Sequence, residues 1–389
     1  MNRIHLRILH VIRGLPNSSG TTHIVGPLAE AQARQGHQVK VLFVEKSGSR
    51  PVRPDPSLVE SHEYPLTIPT QHVGWSRAFA RGFRTAVRDA DVVHIHAIWN
   101  FPTWYAMRGS LRAGVPYVVA PQGSLEDWAL NRSRRLKRLY ATLAEKPYFD
   151  RAAAMQALTQ TEVEQCRRFG IRAPVTILPN GVDLDAIDRY THVADLRAEF
   201  ALSPETVVFI FLGRVFPKKG LDILIPAFAR LAASRRDVFL LIAGHDAGSG
   251  YRREMEQLAL AHGAAPRMRF LGEVSGRRKF ELLRGADVFV LSSYSEGLPV
   301  AALEAMACRC PVVLTRHCNL DEIGAREAGW LVEPRADSLC GALQSACESV
   351  HERRRRGSNG RALVEDRYTW GQIARESIRS YRSYQPRGH

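Results

Sequence analysis

The sequence predicts an α/β protein built from two doubly wound, Rossmann-like domains that face each other across a cleft. Three observations carry that reading. The length of 389 residues suits two domains of about 150–200 residues each. Short β-branched runs alternate with helical patterns in two successive series, the signature of parallel sheets. A connector rich in turn formers, Pro179-Asn180-Gly181-Val182-Asp183, lies between the series.

The strands of the first series are Arg7–Ile12, Val39–Val44, Asp91–His96, Tyr117–Ala120, Ala152–Ala157 and a short Val175–Leu178, with a helical pattern from Val25 to Gln35. The second series runs Thr206–Leu212, Val238–Ala243, Met268–Leu271, Val288–Leu291, Val312–Thr315 and Trp330–Val332. Trp370–Tyr384 closes the chain as an amphipathic helix with Ile373, Ile378 and Tyr381 on one side. The expected domains are therefore 1–180 and 181–369, with a C-terminal helix over about 370–389 packing back on the first.

Composition narrows the class. With 45% hydrophobic and 24% charged residues, each half can bury a core, which excludes disorder and a disulfide-stapled mini-fold. No window approaches the ~18 consecutive apolar residues of a membrane-spanning helix. The apolar stretch Ile8–Ile12 is too short and His-interrupted for a signal peptide, so the cytoplasm is the expected compartment. Six cysteines (166, 308, 310, 318, 340, 347) show no paired C-x-x-C spacing and read as free thiols. Fifty-four Lys plus Arg against 39 Asp plus Glu give a net charge of +15. That surface favours polyanions: nucleic acid, anionic lipid or phosphorylated substrates. Because nearly all of the cations are Arg, Arg-rich codon usage gives the same bias.

Ligands of doubly wound sheets sit at the carboxyl ends of strands, so the turns there matter most. After the first strand, the loop Gly14 to Gly20 can bring backbone N–H groups, Gly20 among them, near a phosphate. It lacks a clean G-x-G-x-x-G, so it is a poor dinucleotide fingerprint. After Thr206–Leu212 the chain reads Gly213-Arg214-Val215-Phe216-Pro217-Lys218-Lys219-Gly220 and then opens a helix. Arg214 and Lys219 on such a loop can converge on a diphosphate, one as a planar fork and the other as a mobile point charge. After Val288–Leu291 comes Ser295-Glu296-Gly297-Leu298-Pro299, followed by an Ala/Leu/Met helix holding Glu304. Pro299 suits the first helical position, with the N–H groups around Gly297 and Leu298 open to a ligand. A carboxylate in so apolar a helix is costly unless it accepts hydrogen bonds, which the hydroxyls of a ribose would supply.

These motifs, G-R-x4-K-G at Gly213 to Gly220, E-x7-E from Glu296 to Glu304, and the Pro179-Asn180-Gly181-Val182-Asp183 junction, resemble the retaining glycosyltransferases of family 4, which have the GT-B fold. The resemblance spans essentially the whole chain and is most specific in the second domain. It implies a nucleotide-diphosphate sugar, UDP- or GDP-linked, held mainly by that domain. Arg214 and Lys219 would neutralise the leaving diphosphate, Glu304 would bind the ribose, and Glu296 with the Gly297/Leu298 backbone would contact donor sugar and phosphate. Gly213 would line the same site. No metal and no other cofactor is implied, and transfer would retain configuration by front-face attack.

The acceptor would then belong to the first domain. His94-Ile-His96-Ala-Ile-Trp99-Asn100 and Pro121-Gln122-Gly123-Ser124-Leu125 resemble the H-x-H-G-x-W and P-[HR]-G-M-L segments of bacterial members that build surface polysaccharides. His96, Trp99, Asn100 and Gln122 are the acceptor-side candidates, with His96 equally readable as a structural strand-end histidine. Gln122 stands where many relatives have His, and Gln cannot act as a base. The expected acceptor is an oligosaccharide or a polyprenyl-linked glycan. The basic stretch Arg132 to Arg138 carries two readings: a solvated helix face, or contact with an anionic membrane surface that would make the enzyme peripheral on the inner face of the plasma membrane. The alternatives are a catalytically degenerate GT-B binding protein and a basic nucleic-acid-binding protein; for the latter, Tyr140 is the one aromatic beside the basic run and is poor evidence of base stacking, so no nucleic acid partner is expected.

Overall fold

A computed structural model describes residues 5–15, 22–45, 51–67, 73–126, 145–246 and 248–385. The chain divides into two compact units, Met1–Gly181 with Trp370–His389, and Val182–Thr369.

The first unit is a seven-stranded sheet of order β3-β2-β1-β4-β5-β6-β7. Its strands are β1 (Arg7–Ile12), β2 (Gln38–Glu45), β3 (Glu60–Pro65), β4 (Val92–His96), β5 (Tyr117–Ala120), β6 (Ala154–Ala157) and β7 (Val175–Ile177), and neighbouring strands are all parallel. The central strands are apolar because parallel strands are covered on both faces; all of Val92–His96 and Tyr117–Ala120 is buried. β3 is the element that periodicity misses. It is an edge strand of sequence ESHEYP with no buried residue, and its polarity suits an edge.

The C-terminal helix Trp370–Tyr384 completes this unit. Ile378 and Tyr381 join Ile8, Val39 and Val92 in one core cluster, while Trp370, Ile373 and Ala374 pack with Ile24, Leu28 and Leu178 in another.

The second unit is a six-stranded parallel sheet of order β10-β9-β8-β11-β12-β13. Its strands are β8 (Val207–Leu212), β9 (Val238–Ala243), β10 (Met268–Gly272), β11 (Val288–Leu291), β12 (Val312–Thr315) and β13 (Gly329–Val332). In both sheets the order reverses direction beside the first strand of the series, between β1 and β4 and between β8 and β11. Loops leaving the carboxyl ends of those strands flank the ligand crevice of a doubly wound fold. Among the described residues no helix is long and apolar enough to cross a membrane. All six cysteines are free thiols.

Candidate active site

In the second unit the two loops at the switch point are tied to one another. β8 delivers its buried run into Gly213, and the chain makes a turn at Pro217–Lys219 before the helix Leu221–Ser234. Gly220 joins turn to helix at φ 67°, where a Cβ would lie 2.0 Å from the carbonyl oxygen of Ser292. Only glycine meets both demands. Ser292, just past β11, donates its hydroxyl to the carbonyls of Lys219 (3.0 Å) and Gly220 (2.8 Å). The Tyr294 N–H adds a bond to the Lys218 carbonyl at 2.8 Å.

This junction brings two of the expected site residues into contact. Lys219 Nζ donates to Glu296 Oε1 at 2.5 Å, and the Ser293 hydroxyl donates to the same oxygen at 2.5 Å. Burial raises the Glu296 carboxyl, but the Lys219 ammonium and these hydrogen bonds outweigh it and hold the pKa below the ordinary value, so the group is ionised. Its backbone is fixed too: the Glu296 N–H donates to the His317 carbonyl at 3.0 Å, and Asn319 Nδ2 donates to the Glu296 carbonyl. A lysine has three ammonium donors, so two remain for a ligand.

Arg214, by contrast, is exposed, makes no ion pair among the described residues, and lays its guanidinium over the Phe216 ring at 5.8 Å. A guanidinium standing on an aromatic face keeps its full fork for an incoming anion.

Leu298 is buried and Gly297 half-buried beside it. Pro299 sits one position earlier than expected, capping the helix Val300–Ala307 in extended backbone rather than forming its first residue. Glu304 lies within that helix, half-buried among buried Leu303, Ala305 and Met306. The hydrogen bonds its position requires come from Lys279, whose Nζ is 2.6 Å from Glu304 Oε1 and rests over the Phe280 ring at 4.6 Å. Lys279 escapes sequence reasoning because it pairs across from a different helix, Gly276–Gly285, with no spacing to mark it.

The first unit gathers the acceptor-side candidates on strained loops after β4 and β5. Ala97, Trp99 and Gln122 take φ values of 64°, 71° and 51°, conformations that cost a side chain-bearing residue about 1–3 kcal/mol. The Trp99 N–H points at the Glu145 carboxyl (3.2 and 3.3 Å), its indole Nε1 donates to the Ser124 carbonyl at 3.4 Å, and its ring meets Phe169 edge-on. Burial pushes the Glu145 carboxyl up to about 8 despite the bond from Trp99. Asn100 is committed to local structure: its side chain caps the helix Phe101–Ala113 by accepting from the Thr103 N–H at 3.1 Å. His96 is fully buried, and Gln122 Nε2 lies 3.2 Å from its Nδ1. Glu145, the deeply buried Glu162 that accepts from the Gly123 N–H at 2.7 Å, and His10, a partner of His96, were not visible in sequence as site-forming residues, whereas His94, whose ring also packs on His96, opens the H-x-H segment. Gly20 and Arg132 to Arg138 lie outside the described residues.

Comparison with known proteins matches this architecture. Residues 193–363 match the model for glycosyl transferases group 1, and residues 19–181 match the glycosyl transferase 4-like domain. The chain belongs to this family: it is a family 4 glycosyltransferase with the GT-B fold. Similar curated proteins include a D-inositol 3-phosphate glycosyltransferase of Mycobacteroides abscessus, 29% identical over 77% of this chain and 69% of that protein. Another is the protein of that name from Jonesia denitrificans, 26% identical over 95% of this chain and 92% of its own length. Among solved structures, sucrose-phosphate synthase from Thermosynechococcus elongatus superposes with a TM-score of 0.76 at 21% identity, covering 97% of this chain and 99% of that one. Anabaena HepE in complex with UDP and glucose superposes at 0.73 and 18% identity, covering 97% and 100%. At these identities the superpositions show the fold.

Proposed function

We propose that the protein is a retaining glycosyltransferase that moves a sugar from a UDP- or GDP-linked donor to a saccharide acceptor, lipid-linked and serving cell-surface polysaccharide assembly. The observation that carries the donor half is the second unit's switch-point cluster: exposed Arg214, Lys219 with donors to spare, and ionised Glu296 on loops bonded to each other. In the reaction, the bond between the anomeric carbon and the diphosphate oxygen breaks, and the acceptor oxygen bonds to that carbon on the same face. The acceptor proton passes to the departing phosphate oxygen. Arg214 and Lys219 stabilise the charge growing on the diphosphate, where fixed cations contribute most. Two cations in these positions do the work a divalent ion would otherwise do, so transfer is metal-independent in this reading. Glu296 orients Lys219 and accepts from a donor-sugar hydroxyl. Glu304, with Lys279 as its resting partner, takes the ribose hydroxyls.

On the acceptor side Trp99 and Gln122 are the residues exposed enough to meet a sugar, with Gln122 orienting rather than accepting a proton. A second acceptor class, a phosphorylated polyol, is favoured by the names of the curated relatives and by the +15 charge of this chain. We place the enzyme in the cytoplasm, peripheral on the inner face of the plasma membrane. Anionic liposomes are then expected to retain it at low salt and release it at high salt. Absence of co-sedimentation at every salt concentration would remove the membrane.

The test of the reading is a panel of UDP-, GDP-, ADP- and CMP-sugars without added metal, scored by thermal shift and by release of free nucleotide. A shift with slow hydrolysis for one donor is the expected result. A shift with no turnover in the presence of any acceptor would favour a degenerate binding protein, and silence across the panel would overturn the donor site.

A further inference from the structure

Three histidines of the first unit have no part in the donor chemistry and are buried together. His10 lies on β1 opposite His94 on the adjacent β4, and His96 follows two residues on. All are 0% exposed, and one nitrogen from each lies within 4.8 Å of the others. Each ring also spends a nitrogen on an outer group. His10 Nε2 is 2.7 Å from Gln32 Oε1, His94 Nδ1 is 2.6 Å from the Tyr381 hydroxyl, and His96 Nδ1 is 3.2 Å from the Gln122 amide.

The nitrogens left over are His10 Nδ1, His94 Nε2 and His96 Nε2. Gln32 Oε1 can only accept, so His10 carries its proton on Nε2 and Nδ1 is a bare lone pair. His10 Nδ1 and His96 Nε2 stand 2.8 Å apart, while His94 Nε2 is buried with no partner within hydrogen-bond distance among the described residues, its ring facing the Gln156 side chain, whose Oε1 is likewise unpartnered. Gln122 Oε1 is also buried and unpartnered. Turning the Gln122 amide over places that oxygen on His96 Nδ1, which then holds the proton and frees Nε2 as a lone pair. If the Tyr381 hydroxyl accepts from His94 Nδ1, the same holds for His94 Nε2. One choice of tautomers thus leaves three bare imidazole nitrogens, each ring held from behind by a hydrogen-bonding partner. Outer partners of this kind orient metal-ligating histidines and fix their tautomers.

We propose that His10 Nδ1, His94 Nε2 and His96 Nε2 bind one divalent transition-metal ion of the Zn2+ type in the first unit. An all-imidazole set suits Zn2+, Co2+, Ni2+ or Cu2+ and not Mg2+ or Ca2+, which take oxygen ligands. With metal–nitrogen bonds of about 2.0–2.1 Å, tetrahedral ligands stand roughly 3.3 Å apart, so the 2.8 Å pair opens by about half an ångström. The proton between that pair moves to His96 Nδ1, and nothing is oxidised or reduced. Because the ligands are wholly buried, the ion enters as the unit folds. It fastens β1 to β4, and through Tyr381 and the Gln32–Ser377 bond (2.9 Å) it fastens both to the helix Trp370–Tyr384. His96 is then a ligand, with Gln122 behind it, rather than a sugar contact. Transfer at the diphosphate stays independent of Mg2+ and Mn2+.

The test uses the full chain, made without a histidine tag in medium supplemented with Zn2+ or Co2+ and freed of loose metal by gel filtration. The expected result is one ion per chain, with the visible bands of imidazole-bound Co2+ and without strong near-ultraviolet thiolate bands. His10→Gln and His94→Gln are expected to lower the metal content at least tenfold, while His62→Gln, on the exposed edge strand, keeps it. Less than a tenth of an equivalent in the unaltered chain, thiolate bands, or full metal content in both variants would overturn the site. Where the variants fail to fold, the stoichiometry and Co2+ spectrum of the unaltered chain decide.

Discussion

Lys219 and Glu296, the pair proposed to act at the donor, are also a structural pair. Their side chains are only 17% and 11% exposed, so removing one leaves the other buried without its counter-charge. Lys219→Ala is expected to cost about 3 kcal/mol in denaturant unfolding, and adding Glu296→Gln to recover part of it. Additive losses would show that the pair is not coupled. Glu145 supplies a pH dependence. Its carboxyl ionises near 4.5 when unfolded and near 8 when folded, so stability present below pH 4.5 is lost as pH rises toward about 8. Glu145→Gln stays neutral and is expected to gain thermal midpoint on the unaltered chain across that window. A difference that does not change with pH would mean that Glu145 ionises in place.

At the scale of elements, the two glycines of one loop make a contrast. Gly220→Ala forces a Cβ to 2.0 Å from the Ser292 carbonyl at φ 67°, whereas a Cβ at Gly213 meets nothing nearer than 3.6 Å. The first substitution is expected to cost about 1–3 kcal/mol and to part the loops that hold Lys219 and Glu296, while the second leaves stability near that of the unaltered chain. Equal melting curves for the two would remove the steric account. Elements were legible from sequence to the extent that burial imposed a pattern. The apolar runs of β8, β9 and β11 and the amphipathic Trp370–Tyr384 read directly, because a parallel strand or half-buried helix must show its covered face. β3 did not, because nothing is buried along it. Site residues followed the same division. Arg214, Lys219 and Glu296 lie on motif loops, whereas Lys279, Glu145 and the His10–Gln32–Ser377 chain act across long sequence separations that no local spacing reveals. Ala97 is instructive. It stands where the H-x-H-G-x-W pattern has Gly, and its φ of 64° shows why glycine suits that place.

At the scale of the molecule, the chain leaves its first unit at Gly181 and returns to it at Trp370. Trp370, Ile373, Ile378 and Tyr381 are buried in the first unit's core clusters. Their burial contributes on the order of 6 kcal/mol or more, comparable with the stability of a whole domain. Deleting 370–389 is therefore expected to abolish cooperative unfolding of the first unit or leave the protein insoluble. A soluble truncated chain with an unchanged melting curve would show that the helix is dispensable. The return also means that the two ends of the first unit's core are joined only after the second unit has been made.

The proposed donor site, where the diphosphate is held, lies on the second unit's switch-point loops. Its most direct measurement is the rate of nucleotide release from the preferred sugar nucleotide by the unaltered chain and by Arg214→Ala, without added metal. Arg214 is exposed and makes no ion pair among the described residues, so its loss leaves the fold intact and reports on charge stabilisation alone. A more than tenfold fall with an unchanged melting temperature is expected. Nucleotide release at the unaltered rate would contradict the donor site.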